Sequence, residues 1–133
     1  MASRPKPIPA LGALELEVLE HLWRVNEADV VSTHAAIGRR RGITPNTIGS
    51  ALERLFKKGL VTRAKHSHAY RYRAACGRDE LNARRLATLA GDLRTIASAG
   101  LLAAFVDLVA DVDDEALDRL EALIAEKKGG RTP

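Results

Sequence analysis

The chain has 133 residues, 46% hydrophobic and 29% charged, a composition typical of a folded globular protein with one ordinary domain or two small ones. No apolar run approaches the roughly 20 residues of a membrane span, and the amino-terminal MASRPKPIPA lacks the apolar centre of a secretory signal. The single cysteine, Cys76, excludes an intrachain disulfide framework. We therefore expect a cytoplasmic protein without membrane insertion, and the 4% aromatic content favours a mainly helical core.

The charge is unevenly divided along the chain. Residues 1–75 contain 13 Lys and Arg against 6 Asp and Glu, a net charge of +7, whereas residues 76–133 contain 8 against 11, a net charge of −3. A basic segment attracts the polyanionic phosphate backbone, while an acidic one is repelled by it. The first half is therefore the part that we expect to bind nucleic acid.

The amino-terminal third predicts an arm followed by two helices. Residues 1–10 contain the proline-rich stretch RPKPIP and are predicted to be a flexible arm, either disordered or reaching into a minor groove. From Leu14 to Arg24 the apolar residues recur on one helical face, with three glutamates elsewhere on the wheel. Asp29 to Val31 predicts a minimal strand, and Ser32 suits the cap of a second helix from about Thr33 to Arg41.

A third helix is predicted to begin at Pro45 and to stop before Gly59. Thr44 suits the N-cap, proline suits the first helical position because its missing N–H has no intrahelical partner, and glycine suits a left-handed C-terminal cap. One face carries an apolar stripe, predicted to be buried: Ile48, Leu52, Leu55 and Phe56. The remaining positions are polar and are predicted to face solvent or a ligand: Asn46, Thr47, Ser50, Glu53, Arg54 and Lys57.

Two short alternating strands follow, around a polar and partly basic tip at 65–68. Tyr70 and Tyr72 share one face of the second strand and are predicted to pack inward, whereas Arg71 and Arg73 point outward. Helix, short strand, helix, turn, helix and hairpin is the order of a winged helix-turn-helix. We therefore predict a mainly α fold with a small β-hairpin, in which residues 11–75 form a winged-helix DNA-binding domain.

Residues 76–133 are predicted to form a helical dimerisation domain, with breaks near Gly91 or Gly100 and at Asp111 to Asp113. A segment of this size buries little surface alone, so its apolar stripes are predicted to cover a second copy, although such a stripe packs equally well within one subunit. The candidate interface residues are Leu101, Leu102, Phe105, Val106, Leu117, Leu120 and Leu123.

A helix in the major groove presents its amino-terminal residues to base edges, while basic side chains hold phosphates. The residues predicted to bind DNA on that geometry are Asn46, Thr47, Ser50, Arg54, Lys57, Arg63, Lys65 and His68. The first three are predicted to read bases, Arg54 to bind a guanine or a phosphate, and the wing residues to contact the backbone. The alternatives are first-turn capping for Asn46 and Thr47, and a solvated helix face for Arg54 and Lys57.

The sequence offers little support for catalysis or metal binding. Cys76 has no evident base beside it, so we predict an inert thiol rather than a redox sensor. His66 and His68 have no carboxylate or cysteine at metal-ligand spacing. We predict no enzymatic activity, no cofactor and no bound metal. A winged helix used for protein contact and a sequence-indifferent DNA-coating protein remain alternatives, the first of which requires an uncharged reading face.

Several stretches together resemble one family. LELEVLEHLW, NTIGSALERLFKKGLV, AYRYRA and AAFVDLV are similar to the corresponding segments of penicillinase-type repressors, the BlaI/MecI/CopY family, within a resemblance from about Leu11 to Lys128. It implies an amino-terminal winged-helix domain, a carboxyl-terminal helical dimerisation domain, and repression by a homodimer on a pseudo-palindromic operator.

The resemblance also implies a regulatory partner for some members. In those that answer β-lactams, a membrane sensor protease signals, and the repressor is cut within its dimerisation domain at an Asn-Phe bond. The matching pair here is Ala104-Phe105, with alanine in place of asparagine, and the copper-responsive branch's Cys-x-Cys is missing. Gly49 stands where members usually carry a larger side chain in the reading helix, which removes one possible base contact, so we expect a different sequence preference. Ser67 stands where the wing commonly has glycine, which leaves the turn type open.

Overall fold

A computed structural model describes Ile8, residues 10–91 and residues 97–130 of the chain. The chain divides into two compact units, Met1–Thr88 and Leu89–Pro133. Most of the predicted arm, residues 1–7 and 9, lies outside the described residues. Ile8 does not behave as part of a flexible arm, because its side chain is buried and its N–H donates to Thr88 Oγ1 at 2.9 Å.

The predicted fold class is confirmed, since the described residues form helices and one two-stranded antiparallel hairpin. The elements up to residue 90 are α1 (Ala13–Val25), α2 (Val30–Thr33, continuing through a π-helical turn at His34–Gly38 into Arg39–Arg41), α3 (Pro45–Lys57), β1 (Val61–His66), β2 (Ala69–Ala74) and α4 (Arg78–Ala90). The predicted division after Ala75 marks the end of the hairpin, whereas the first compact unit continues to Thr88, since Leu81 of α4 is fully buried in its core.

The segment between α1 and α2 differs from its prediction. Asp29 accepts a hydrogen bond from the N–H of Ser32 at 2.8 Å and is the N-cap, a bond that also holds the pKa of its carboxyl below the usual range. Helix α2 therefore starts at Val30, so the predicted strand at Asp29 to Val31 and the predicted cap at Ser32 are both wrong. The residue that pairs with the wing is Ala28, whose N–H donates to the Tyr72 carbonyl at 3.0 Å.

The core of the first unit joins α1, α2 and α3 to the base of the hairpin. Its largest fully buried side chains are Val18, Leu19, Leu22, Ile37, Ile48, Leu52, Leu55, Leu60 and Leu81, with Thr33 among them. Two assignments from the helical wheel are corrected. Phe56 lies at the edge of the core with 37% of its surface exposed. Glu15 is buried, because Nζ of Lys58, at the end of α3, lies 2.6 Å from its Oε2 and pairs with its charge.

Gly38 allows α2 to pack closely against its own preceding turn. A Cβ at this position would collide with the imidazole of His34, which donates from Nε2 to the carbonyl of Ile43 at 2.8 Å and so fixes the turn into α3. We expect Gly38→Ala to lower the free energy of unfolding by roughly 1–3 kcal/mol, because the ring must move and its hydrogen bond is lost.

Chemical denaturation measures this effect, and Gly49→Ala is the matched control. A Cβ at Gly49 meets only Val30 Cγ2, at an ordinary 3.7 Å, so alanine there is expected to stabilise α3 by up to about 1 kcal/mol. Equal effects of the two substitutions would show that the His34 contact does not constrain the turn.

The second unit contains α5 (Ala99–Val112) and α6 (Asp114–Gly130). Ser98 caps α5 by accepting from the N–H of Leu101, and Asp113 ends it, so the predicted break near Asp113 is confirmed, whereas Gly100 lies inside the helix. Helix α4 stops just before Gly91, whose φ of 104° suits glycine. None of the described residues of α5 and α6 is buried. No helix in the described part of the chain is long and apolar enough to cross a bilayer.

Candidate nucleic-acid interface

Helix α3 is the element on which the candidate site is built, and its predicted ends are confirmed. The side chain of Thr44 accepts from the N–H of Thr47 at 3.2 Å, Pro45 occupies the first turn, and Gly59 has a φ of 76°. The buried side chains of α3 are Ile48, Ala51, Leu52 and Leu55. This stripe fixes the rotation of the helix, so that its polar residues face away from the core.

The exposed side of α3 is an open groove edged by Val30 of α2. The residues that line it on α3 are Pro45, Asn46, Gly49, Ser50, Glu53, Arg54 and Lys57. Five predicted base or phosphate contacts, four of them in this groove, are exposed on one helix: Asn46, Thr47, Ser50, Arg54 and Lys57. Thr47 also takes part in the cap, since its hydroxyl lies 3.1 Å from that of Thr44.

The two cations on this face are available to a ligand. The side chains of Arg54 and Lys57 form no hydrogen bond or ion pair within the described residues, although the charge of Arg54 helps to lower the pKa of the Glu15 carboxyl. By contrast, Arg40 and Arg41 of α2 both pair with Glu17. A guanidinium without an internal partner keeps all of its donors for bidentate contacts to guanine or phosphate. The face therefore combines amide, hydroxyl and cationic groups, the types that read base edges and hold phosphates.

The hairpin forms a wing that ends in a two-residue turn at Ser67 and His68. Ser67 has a φ of 59°, a left-handed conformation that is more often taken by glycine. Lys65 and His68 are exposed at the tip, as the phosphate-contact prediction requires. Tyr72 is buried as predicted, but Tyr70 is 41% exposed, because only Tyr72 lies over the core while Tyr70 meets it edge to face.

The outward strand positions of the wing are anchored to the loop before α2. Arg71 and Arg73 are exposed as predicted, and they pair with Glu27 at 3.1 and 3.0 Å. The hydrogen bonds from Arg73 and Arg71 hold the pKa of the Glu27 carboxyl below its usual range. The pairs are too solvent-exposed to add much stability. They do, however, orient the second strand beside α2.

Arg63 is placed differently from its prediction. Its guanidinium forms an ion pair with Glu53 of α3 and lies over the rings of Phe56 and Tyr70, and its side chain is only 20% exposed. Its charge is therefore already paired with Glu53 and its two faces are already covered by rings, so it is less available to a phosphate than the exposed Lys65. The helical wheel did not predict these contacts of Arg63. The signal for them in the sequence is that Glu53 and Phe56 are one helical turn apart, with an arginine on the strand that follows.

The start of α4, the helix after the wing, is held against α1 by a hydrogen bond and an ion pair. The indole N–H of Trp23 donates to the carbonyl of Cys76 at 2.8 Å, and Arg78 pairs with Glu20 while lying 5.2 Å from the Trp23 ring. Burial raises the pKa of the half-buried Cys76 thiol, which leaves less of the reactive thiolate at neutral pH.

In the second unit, the predicted interface residues are exposed to different extents. Leu101, Leu102, Phe105, Val106 and Leu123 are exposed, while Leu117 and Leu120 are half-buried. Ala104 is also exposed, and its bond to Phe105 lies within α5 rather than in a loop.

A capped helix with a polar and cationic face, followed by a hairpin wing, defines a winged helix-turn-helix of the DNA-binding class. The family model of the penicillinase repressors matches residues 11–126. The chain therefore belongs to the penicillinase repressor family, whose members are transcriptional repressors and not enzymes.

Two relatives agree with this assignment. The chain is 35% identical over 121 residues to the transcriptional regulator BlaI of Mycobacterium tuberculosis, covering 90% of this chain and 86% of that protein. It is also similar to the solution structure of the DNA-binding domain of the repressor BlaI, at 25% identity and a TM-score of 0.51, over 57% of this chain and 93% of that one.

Proposed function

We propose that this protein is a sequence-specific transcriptional repressor that binds a pseudo-palindromic operator as a homodimer. The observation that carries the proposal is the exposed face of α3, on which the side chains of Arg54 and Lys57 form no ion pair within the described residues and lie beside Asn46 and Ser50. Family membership and the likeness to the DNA-binding domain of BlaI support the same conclusion. The uncharged face required of a protein-contact module is not what α3 presents.

Each group on the face has a stated role in the proposal. Asn46 hydrogen-bonds an adenine edge, the methyl group of Thr47 meets a thymine methyl, and Ser50 bonds either kind of base. Arg54 lies further along the helix and takes a guanine or a phosphate. Lys57 and the wing residues Lys65 and His68 hold the backbone and fix the register of the helix in the groove.

The second unit supports the homodimer. Helices α5 and α6 expose several large apolar side chains and bury none of their described residues, so they lack a core of their own. Exposed apolar stripes of this kind mark interaction surfaces. A second copy supplies an identical stripe and, by two-fold symmetry, places two reading helices for the two halves of an operator.

Release of repression through cleavage between Ala104 and Phe105 is not part of the proposal. Proteolysis concentrates at exposed loop tips, whereas this bond lies in the middle of α5, and alanine replaces the asparagine that the family resemblance calls for. The Ala104–Phe105 bond therefore gives no support for a membrane sensor protease as a partner. Binding to an operator requires access to DNA, which supports the expected cytoplasmic location.

Genome-wide mapping of bound DNA in the native host tests the proposal. The recovered sites are expected to share a motif with dyad symmetry, and an excess of a scrambled version of that motif is expected to compete poorly in a mobility-shift assay. A protein that is folded yet shifts no promoter fragment at low ionic strength would contradict the proposal. Equal competition by scrambled DNA would instead identify a sequence-indifferent DNA-coating protein.

Replacing Arg54 by alanine separates base reading from phosphate binding. If Arg54 reads a guanine, the variant is expected to bind its operator about 1–3 kcal/mol more weakly per half-site and to lose discrimination at one base pair of each half-site only. If it clamps a phosphate, unrelated DNA is expected to lose affinity by the same amount. Fluorescence anisotropy with operators altered one base pair at a time measures both quantities.

A further inference from the structure

Arg63 lies where three elements of the first unit meet. It is in the middle of β1, opposite Tyr72 on β2, and its guanidinium carbon is 3.9 Å from the ring centroid of Phe56 on α3 and 4.2 Å from that of Tyr70 on β2. The same group forms an ion pair with Glu53, which is one turn before Phe56 on α3. One side chain of β1 thus contacts both the last turns of the reading helix and the neighbouring strand of the wing.

The contacts use the particular shape of a guanidinium. Its two faces attract aromatic rings and its edge donates to a carboxylate, a combination that a lysine ammonium cannot reproduce. Phe56 and Tyr70 are large aromatic side chains that remain more than one-third exposed, outside the apolar core, and Arg63 is the group that covers them. By contrast Lys65, two residues along the same strand, is exposed and forms no ion pair within the described residues.

We infer that Arg63 is a positioning residue, which holds the wing against the reading helix and does not itself bind a phosphate. The inference rests on the proposed DNA-binding function. A wing that is already held beside the reading helix does not have to be ordered when DNA binds, so its contacts contribute more to affinity. Loss of the clamp formed by Arg63, Glu53, Phe56 and Tyr70 lets the wing move, and DNA must then select the competent arrangement.

The test compares Arg63→Lys, Arg63→Gln and Lys65→Gln in the full-length dimer, by measuring operator affinity against salt concentration. Arg63→Lys keeps the charge but loses the planar group, so the clamp is lost and affinity is expected to fall on the order of tenfold while the slope of log affinity against log salt stays unchanged. Arg63→Gln is expected to weaken binding without changing the slope of log affinity against log salt. Lys65→Gln is expected to reduce that slope by about 2 for the two subunits.

A second measurement does not depend on DNA. The midpoints of thermal unfolding are compared for Arg63→Gln, Glu53→Gln and the double variant, and the double variant is expected to be less destabilised than the sum of the two single changes. Wild-type affinity of Arg63→Lys, or a reduced salt slope for Arg63→Gln, would overturn the inference. If the wild-type protein binds no DNA, the proposed function fails, and additive unfolding shifts alone would then overturn the clamp.

Discussion

Replacing Phe105 by aspartate is expected to dissociate the dimer and to weaken operator binding by about 10²–10⁴-fold. Phe105 lies on the exposed apolar stripe of α5, beside Leu101 and Leu102, and a carboxylate there would be buried without a partner in the proposed interface. Once the subunits separate, each half-site is bound alone and the gain from linking two binding events is lost. Analytical ultracentrifugation measures the first effect and fluorescence anisotropy the second.

Ala104→Asp is the matched control for this substitution. It introduces the same charge one residue earlier, off the apolar stripe and on the side of α5 that already carries Asp107. The control is expected to remain dimeric and to bind its operator with nearly wild-type affinity. A Phe105→Asp variant that stays dimeric, or a monomer that binds equally tightly, would show that the stripe packs within one subunit instead.

The reading helix was predictable because its signals are local. Thr44, Pro45 and Gly59 mark its ends through hydrogen bonds and dihedral angles that depend on immediate neighbours, and its stripe follows the helical period. The alternation in the wing correctly predicted that Tyr72 is buried and that Arg71 and Arg73 are exposed. The resemblance then added the repressor family and its mode of action, which periodicity alone does not give.

The wrong predictions for the first unit concern features that depend on residues far away in the sequence. Asp29 and Ser32 are both good N-caps three residues apart, and the pairing of Ala28 with Tyr72, forty-four residues later, sets which of them starts the helix. Glu15 lies off the apolar face of the first helix, yet its ion pair with Lys58 allows it to be buried.

The candidate site shows the same limit. The helical pattern predicted correctly which polar side chains of α3 are exposed, because the buried apolar stripe turns the opposite face of the helix toward solvent. For Arg63, residue type predicted a phosphate contact and gave no sign of the ion pair with Glu53, because that partner lies on another element. Both rings beside Arg63 were expected in the core, and their exposure became interpretable only when the cation between them was located.

Salt is expected to weaken operator binding steeply. If Arg54, Lys57 and Lys65 each neutralise a phosphate in both subunits, log affinity should fall by about 5 per decade of salt, which is roughly a thousandfold between about 50 and 200 mM. The physical reason is the release of counterions condensed on the duplex. Titrations at several salt concentrations measure the slope, which Lys57→Gln should reduce by about 2, whereas Lys127→Gln on the acidic second half should leave it unchanged. A slope near zero would mean that the exposed cations of α3 and the wing do not face DNA.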